Sequence, residues 1–322
     1  MTRRRLIFIP LALLLCAAVV LAPAQVGLTR QGQNAIGVFV LCLVLWVTNA
    51  LPLSVTSLFA LVLLPLLRVV PAARAFSLFG SPVVFFILGA FILAAALMHS
   101  GLSTRLAVLF LRRFGGSPRS LLAGVIFSGG FLAFWMPEHA VAALLFPIVL
   151  EVARALDVPR LRSRYGRALF LALAWGAVIG GIATFLGGAR APLALGILQE
   201  HYGLTIGFLE WMTAVAPFSV AMMAAAYVVL GRVFAIDVSD VRRARAALDD
   251  KSRELGPLSR RERGVSAVAA LTILAWILGG TSSGMATVSL LSAVVLFAFG
   301  LIDWRSVEDY VNWGVILMYG GA

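Results

Sequence analysis

The chain has 322 residues, of which 61% are hydrophobic and only 12% are charged, and its formal net charge is +12. Soluble domains carry roughly 25% charged residues, so a chain with a mean hydropathy of +1.01 is not a soluble globular protein. The positive charge does not indicate a nucleic-acid-binding protein either, because the basic residues lie in loops between apolar segments, where they set membrane topology. The composition therefore predicts an all-α protein that crosses a lipid bilayer several times.

Apolar segments follow one another along the chain. The predicted spans are residues 6–21, 35–51, 55–70, 82–98, 212–234, 265–278, 285–301 and a last segment that starts at Trp313. Most of the 26 basic residues fall in loops on the side of the N-terminus, and the exceptions outside are Arg30, Arg68 and Arg74. The positive-inside rule then places the N-terminus in the cytoplasm. The use of Arg in place of Lys, apart from Lys251, indicates a bacterial source and hence the inner membrane.

Residues 119–156 have the pattern of a re-entrant hairpin. Two apolar runs, 121–135 and 140–150, are each too short to span a bilayer, and arginine-rich loops flank both. Between them lies the hairpin tip, which we define as Pro137, Glu138 and His139. Ionisable groups at membrane depth are costly and face a pathway or a partner, and transporters build their sites from such broken segments.

A second interruption falls in the long apolar segment 168–198. Small residues and Arg190 replace the apolar pattern between Thr184 and Arg190. A planar guanidinium suits carboxylate or sulfate, and a broken helix exposes N-termini that favour anions. Two structural alternatives stay open: Arg190 snorkels from the break, and the glycines, including Gly187 and Gly188, serve close helix packing.

A weak internal repeat relates residues 79–90 to residues 310–321, and the predicted topology gives the two segments opposite orientations, as in an inverted repeat. The predicted organisation is an N-terminal helix (1–34), a first repeat (35–236), a basic cytoplasmic linker (237–263) and the start of a second repeat (264–322). The linker is expected to be solvated, or to form a short surface helix over residues 242–248. Because Ala322 lies inside an apolar segment, we expect the natural chain to continue.

Four stretches resemble the divalent anion–sodium symporter family: residues 45–56 (LWVTNALPLSVT), 89–97 (GAFILAAAL), 255–259 (LGPLS) and 312–314 (NWG). The resemblance covers nearly the whole chain. It implies an elevator-type carrier of dicarboxylates, citrate or sulfate, usually a homodimer, in which a re-entrant hairpin and a broken helix from each of two inverted repeats build the site.

The hairpin tip departs from that family's pattern. Family members usually carry Ser-Asn-Thr there, which binds sodium and a substrate carboxylate, whereas this chain has Pro137, Glu138 and His139. In the broken helix, Thr184 and Gly187 fit the family pattern, but its Asn position falls near Ala191. A titratable Glu or His can let a proton replace the cation. We therefore expect proton-linked or uncoupled transport, with sodium doubtful in this half and no other cofactor.

The expected substrate-binding residues share a position at the hairpin tip or in the break, and Glu138 and His139 are also expected to carry the coupling ion. They are Glu138, His139, Ala140, Thr184, Gly187, Gly188 and Arg190. Glu138 and His139 have a structural alternative, in which they only hold the tip. The expected partners are a small anion, the bilayer and a second copy of the chain.

Three tryptophans, Trp211, Trp276 and Trp304, are expected to anchor the chain at the membrane interface. Two other functional classes compete with transport. A membrane-embedded enzyme could use Glu138 and His139 as acid and base, but no nucleophile, metal set or cofactor motif accompanies them. A non-transporting fragment or half-transporter is the other alternative.

Overall fold

A computed structural model describes residues 3–23, 27–158, 163–279 and 284–321. Within these residues the chain forms sixteen α-helices and no strand. The helices, in chain order, are α1 (Arg3–Leu21), α2 (Arg30–Thr48), α3 (Leu53–Leu66), α4 (Ala72–Ser77), α5 (Pro82–His99), α6 (Leu102–Arg113), α7 (Pro118–Ala133), α8 (Glu138–Ala155), α9 (Arg164–Gly180), α10 (Arg190–Tyr202), α11 (Phe208–Val233), α12 (Arg242–Glu254), α13 (Arg260–Gly279), α14 (Met285–Ala298), α15 (Trp304–Tyr310) and α16 (Trp313–Gly321).

Several of these helices suit a bilayer by length and composition. Those long and apolar enough to cross one are Arg30–Thr48, Phe208–Val233, Arg260–Gly279 and the stretch Ala72–His99, which joins α4 and α5. Four shorter apolar helices are Arg5–Leu21, Leu53–Leu66, Pro118–Ala133 and Met285–Ala298. The described residues therefore form an all-helical, multi-pass membrane protein, as the composition predicts.

The chain divides into two compact units, and the first comprises residues 1–85 and 312–322. Its core lies between α1 and α2, where Leu41 and Leu45 are fully buried. Gly37 allows this packing, since a Cβ there would lie 2.7 Å from the Val20 side chain. α2 ends at Thr48 because Asn49 adopts a left-handed conformation (φ 51°) and donates its N–H to the Trp46 carbonyl.

The second unit, residues 86–311, has its core among α6, α7, α8 and α9. Helices α7 and α9 approach closely because glycines face backbone. A Cβ on Gly176 would meet the Ile126 carbonyl, and one on Gly180 would meet the backbone of Gly130. Small residues at such crossings let membrane helices pack backbone to backbone, so these glycines have a packing role.

Helix α12 lies in the predicted linker and is longer than the surface helix that the sequence suggests. One face is packed, since Ala244 and Leu248 are buried among residues of the second unit's core. Its polar residues pair outward, with Asp249 accepting from the Nε of Arg112 on α6 (2.7 Å) and Lys251 donating to Glu151 on α8 (3.1 Å). Most of α12 is exposed or half-buried, as expected of a solvated linker, and Ala244 and Leu248 are the two of its residues that are buried.

Candidate functional site

The hairpin tip connects α7 to α8 in the second unit. α7 ends at Ala133, and Pro137 directly precedes the first residue of α8, Glu138. Pro137 fits this place because a proline has no N–H to leave unsatisfied at a helix start. The two helices of the hairpin therefore meet at the tip, near where the sequence predicts. The far end of α8 lies at Ala155, beyond the apolar run 140–150.

The long apolar segment is broken where its small residues lie. α9 ends at Gly180 and α10 begins at Arg190, and we call residues 181–189 the break. Its Thr184 is 1% exposed; the hydroxyl donates to the Phe134 carbonyl (2.6 Å) and accepts from the Leu186 N–H (3.2 Å). Thr184 thus ties the break to the end of α7, and both of these bonds occupy its hydroxyl.

The backbone of the break also contacts the tip. The N–H of Glu138 donates to the Gly187 carbonyl at 2.9 Å, which satisfies one of the unpaired donors at the start of α8. A Cβ on Gly187 would collide with the Ala133 carbonyl and with the backbone of Gly181. Only a glycine can therefore bring the two segments this close.

An ion pair joins the first residues of two helices. Nη2 of Arg190 donates to Oε2 of Glu138 at 2.7 Å, and their side chains are 58% and 25% exposed respectively. Helix N-termini carry partial positive charge, and Arg190 adds a full one. Since α8 begins at Glu138 and α10 at Arg190, the junction of tip and break is electropositive apart from the Glu138 carboxylate.

The remaining expected residues have different surroundings. Gly188 is half-buried, and a Cβ there would lie 3.6 Å from the Arg190 guanidinium. Ala140 is buried in α8. His139 is exposed, and its ring lies edge-on to the Phe91 ring with centroids 5.8 Å apart. The described residues record no hydrogen bond to the His139 ring, so Glu138 is the tip residue that engages the break.

A cavity of about 410 Å³ opens beside Arg190. Its lining combines one cation with small and apolar residues: Gly181, Ile182, Gly188, Arg190, Ala191, Trp211, Val215 and Phe218. Pockets for small molecules range over about 300–1,000 Å³ and are mostly apolar with few polar groups. Arg190 is thus the single charged residue in an otherwise apolar lining.

Aromatic residues pack around the break, among them Trp211, which the sequence predicts as an interface anchor. Phe185 packs against Phe208 and Trp211, with centroids 5.9 and 5.4 Å apart, and the Trp211 indole N–H donates to the Ile182 carbonyl at 3.1 Å. Trp276 is 2% exposed and packs on Phe208. The prediction of Trp276 as an interface anchor is therefore wrong, because a buried cluster covers its ring and the Met285 carbonyl accepts its N–H.

A family model described as "Sodium:sulfate symporter transmembrane region" matches residues 4–322. The chain belongs to this family. Curated relatives include the "Sodium-dependent dicarboxylate transporter SdcS" of Staphylococcus aureus strains USA300 and MSSA476, each 27% identical over 317 residues, which cover 89% of this chain and 61% of the relative. The chain thus spans about three-fifths of the length of these relatives.

Family membership confirms the resemblance that residues 45–56, 89–97, 255–259 and 312–314 indicate. It also confirms that the chain belongs to a family of membrane transport proteins.

The stretch 255–259 is held by one arginine. Arg105 on α6 donates to the carbonyls of Leu255, Gly256 and Pro257 at 2.9, 2.8 and 3.3 Å. In the sequence Arg105 is one of many basic residues on the side of the N-terminus, and its separation of 150 residues from Leu255 gives no signal of the contact.

Proposed function

We propose that this sodium:sulfate symporter family member takes part in secondary active transport of a small divalent or organic anion, a dicarboxylate, tricarboxylate or sulfate. The observation that carries the proposal is Arg190, a cation at a helix break that lies against the hairpin tip. The family and the dicarboxylate transport stated in the names of the relatives support the same class. Neither points to an enzyme.

Arg190 is the residue that we assign to the anion. It is the one charged residue among those that line the cavity. Its guanidinium is more than half exposed and therefore accessible to a ligand. Gly187 and Gly188 bring backbone close, and the N-termini of α8 and α10 add favourable dipoles. Thr184 is assigned a supporting role, because its hydroxyl already holds the break to the end of α7.

The coupling ion at this site is proposed to be a proton. Glu138 and His139 stand where the family usually places neutral oxygen-bearing side chains, and both can bind and release a proton. We further propose that the carrier is built as inverted repeats that work as an elevator, is a homodimer, and lies in a bacterial inner membrane with its N-terminus inside.

Transport in liposomes tests the proposal. With the purified protein reconstituted, an inward proton gradient should drive uptake of radiolabelled succinate or sulfate, and an inward sodium gradient alone should not. The control is the same vesicle set without protein. Uptake that requires sodium and ignores the pH gradient would exclude proton coupling, and uptake of neither anion under any gradient would contradict the transport assignment.

Substitution of Arg190 tests the anion site separately. Arg190→Gln should weaken anion binding at least about tenfold, because charge-assisted bonds to an oxyanion contribute about 1.5–3 kcal/mol. The folded yield, measured by size-exclusion chromatography, should stay near wild type. Equal losses of binding and of folded protein would assign Arg190 a structural role instead.

A further inference from the structure

The Glu138 carboxylate occupies the position that an anionic substrate needs. Its Oε2 lies 2.7 Å from Nη2 of Arg190, and the described residues record no other hydrogen-bond acceptor for that guanidinium. The carboxylate fits there because residue 181 is a glycine: a Cβ on Gly181 would lie only 3.0 Å from the same Oε2 atom. Glu138 is thus held at the break by its bond to Arg190 and by the hydrogen bond from its own N–H to the Gly187 carbonyl. The absence of a side chain at Gly181 leaves space for it.

We infer that Glu138 is a tethered anion that the substrate must displace from Arg190. The inference rests on the proposed function of Arg190 as the anion site. A ligand that competes with an internal group can bind only the fraction of protein in which that group has left its site. Its apparent Kd therefore equals the intrinsic Kd divided by that fraction. The ligand class follows from the group it replaces: an anion that presents a carboxylate or similarly spaced oxygens to one guanidinium.

Arg190 is the cation that pairs with Glu138. The titratable or charged side chains recorded around Glu138 in the described residues are Arg190 on α10 and His139 on its own helix. The break contributes Gly181 and Gly187 on that side, which bring no charge.

Calorimetry on the purified protein in lipid nanodiscs tests this, with succinate and sulfate as the probes. Glu138→Gln keeps the shape of the side chain and removes its charge, so it should tighten binding about fivefold or more, the reverse of an ordinary loss of a site residue.

Glu151→Gln is the matched control, because Glu151 lies on the same helix and is also paired with a cation, Lys251. It should leave the affinity for both anions unchanged. Glu138→Gln combined with Arg190→Gln should bind no better than Arg190→Gln alone. Glu138→Ala provides a second variant if Glu138→Gln folds poorly.

Two failures can be told apart. If wild type binds an anion and folded Glu138→Gln binds it equally or more weakly, the tethered-anion inference is overturned and the assignment of Arg190 stands. If neither wild type nor any Glu138 variant binds succinate or sulfate, the proposed function fails and the inference fails with it.

Discussion

Two arginine–carboxylate pairs in the second unit differ in how completely their charges are satisfied. Arg190 and Glu138 share one hydrogen bond, and their side chains are 58% and 25% exposed. Arg105 and Glu262 share two, at 2.6 and 3.2 Å, and their side chains are 21% and 5% exposed. Glu262 also accepts the Ser259 N–H at 2.7 Å, and Arg105 also donates to three loop carbonyls.

The difference separates a structural ion pair from a replaceable one. A buried charge pair resists removal of one partner because the other is left without compensation. An exposed pair with a single bond contributes little to stability, since water can take the place of either partner. The same two chemical groups therefore fix a loop to α6 at one place and leave Arg190 open to exchange at the other.

The largest effect on stability is expected at the buried pair of Arg105 and Glu262, which we call the saturated pair because hydrogen bonds satisfy both of its charges. Arg105→Gln should reduce the free energy of unfolding by about 3 kcal/mol, because Glu262 would keep a nearly buried charge without its cation. The thermal midpoint in detergent, followed by the fluorescence of the chain's 7 tryptophans, should fall by several degrees.

Arg190→Gln is the matched control for that experiment. It makes the same chemical change in a pair that is more exposed, so its cost should stay within about 1 kcal/mol. Equal midpoints for the two variants would remove the distinction between the pairs, and a larger loss for Arg190→Gln would reverse it.

A smaller effect on stability is expected where the tip meets the break. Gly187→Ala should cost about 1–3 kcal/mol, because the new Cβ meets backbone of Ala133 and Gly181, which cannot rotate away. Gly231→Ala in α11 should instead stabilise by about 0.5 kcal/mol, since nothing lies within 4 Å of a Cβ there. Both are measured as thermal midpoints. A harmless Gly187→Ala would mean that the tip and the break can separate without cost.

The tip and the break can be predicted from the sequence, whereas the pairing of Arg105 with Glu262 cannot, for a physical reason. The break is visible because Thr184 to Arg190 interrupt an apolar segment, and the tip is visible because Pro137 and Glu138 separate two apolar runs. These are local patterns. Arg105 and Glu262 are 157 residues apart, and each resembles an ordinary loop charge until the fold brings them together.

Helices with mixed polarity were missed for a similar reason. α6 carries Arg105, Arg112 and Arg113, so it resembles a basic loop, yet its apolar face buries Val108 and Leu111. Trp276 was misassigned because an amphipathic ring suits both an interface and a core. What decides between them is the neighbouring ring of Phe208, and this contact has no signature in the sequence.

The smallest effect is expected from a carboxylate with no burial at all. Asp303 is exposed and caps α15 by accepting the Ser306 N–H at 2.8 Å. That backbone bond, with help from the Ser306 hydroxyl and from His99 and Arg261, holds the pKa of Asp303 below its ordinary value. A lowered pKa in the folded state means that the ionised cap stabilises the protein above the ordinary Asp pKa of about 3.9 and that this contribution fades as the pH falls through the lowered value.

Asp303→Asn keeps a capping oxygen without a charge, so it isolates the electrostatic part of the cap. At pH 7 the variant should have a slightly lower thermal midpoint than wild type, and the gap should close as the pH falls below about 4. The ranking of the carboxylates then follows their surroundings: Glu262 is enclosed and doubly bonded, Glu138 has one exposed partner, and Asp303 is open to water. A gap that stays constant with pH, or that exceeds the loss in Arg105→Gln, would show that enclosure does not set the strength of these contacts.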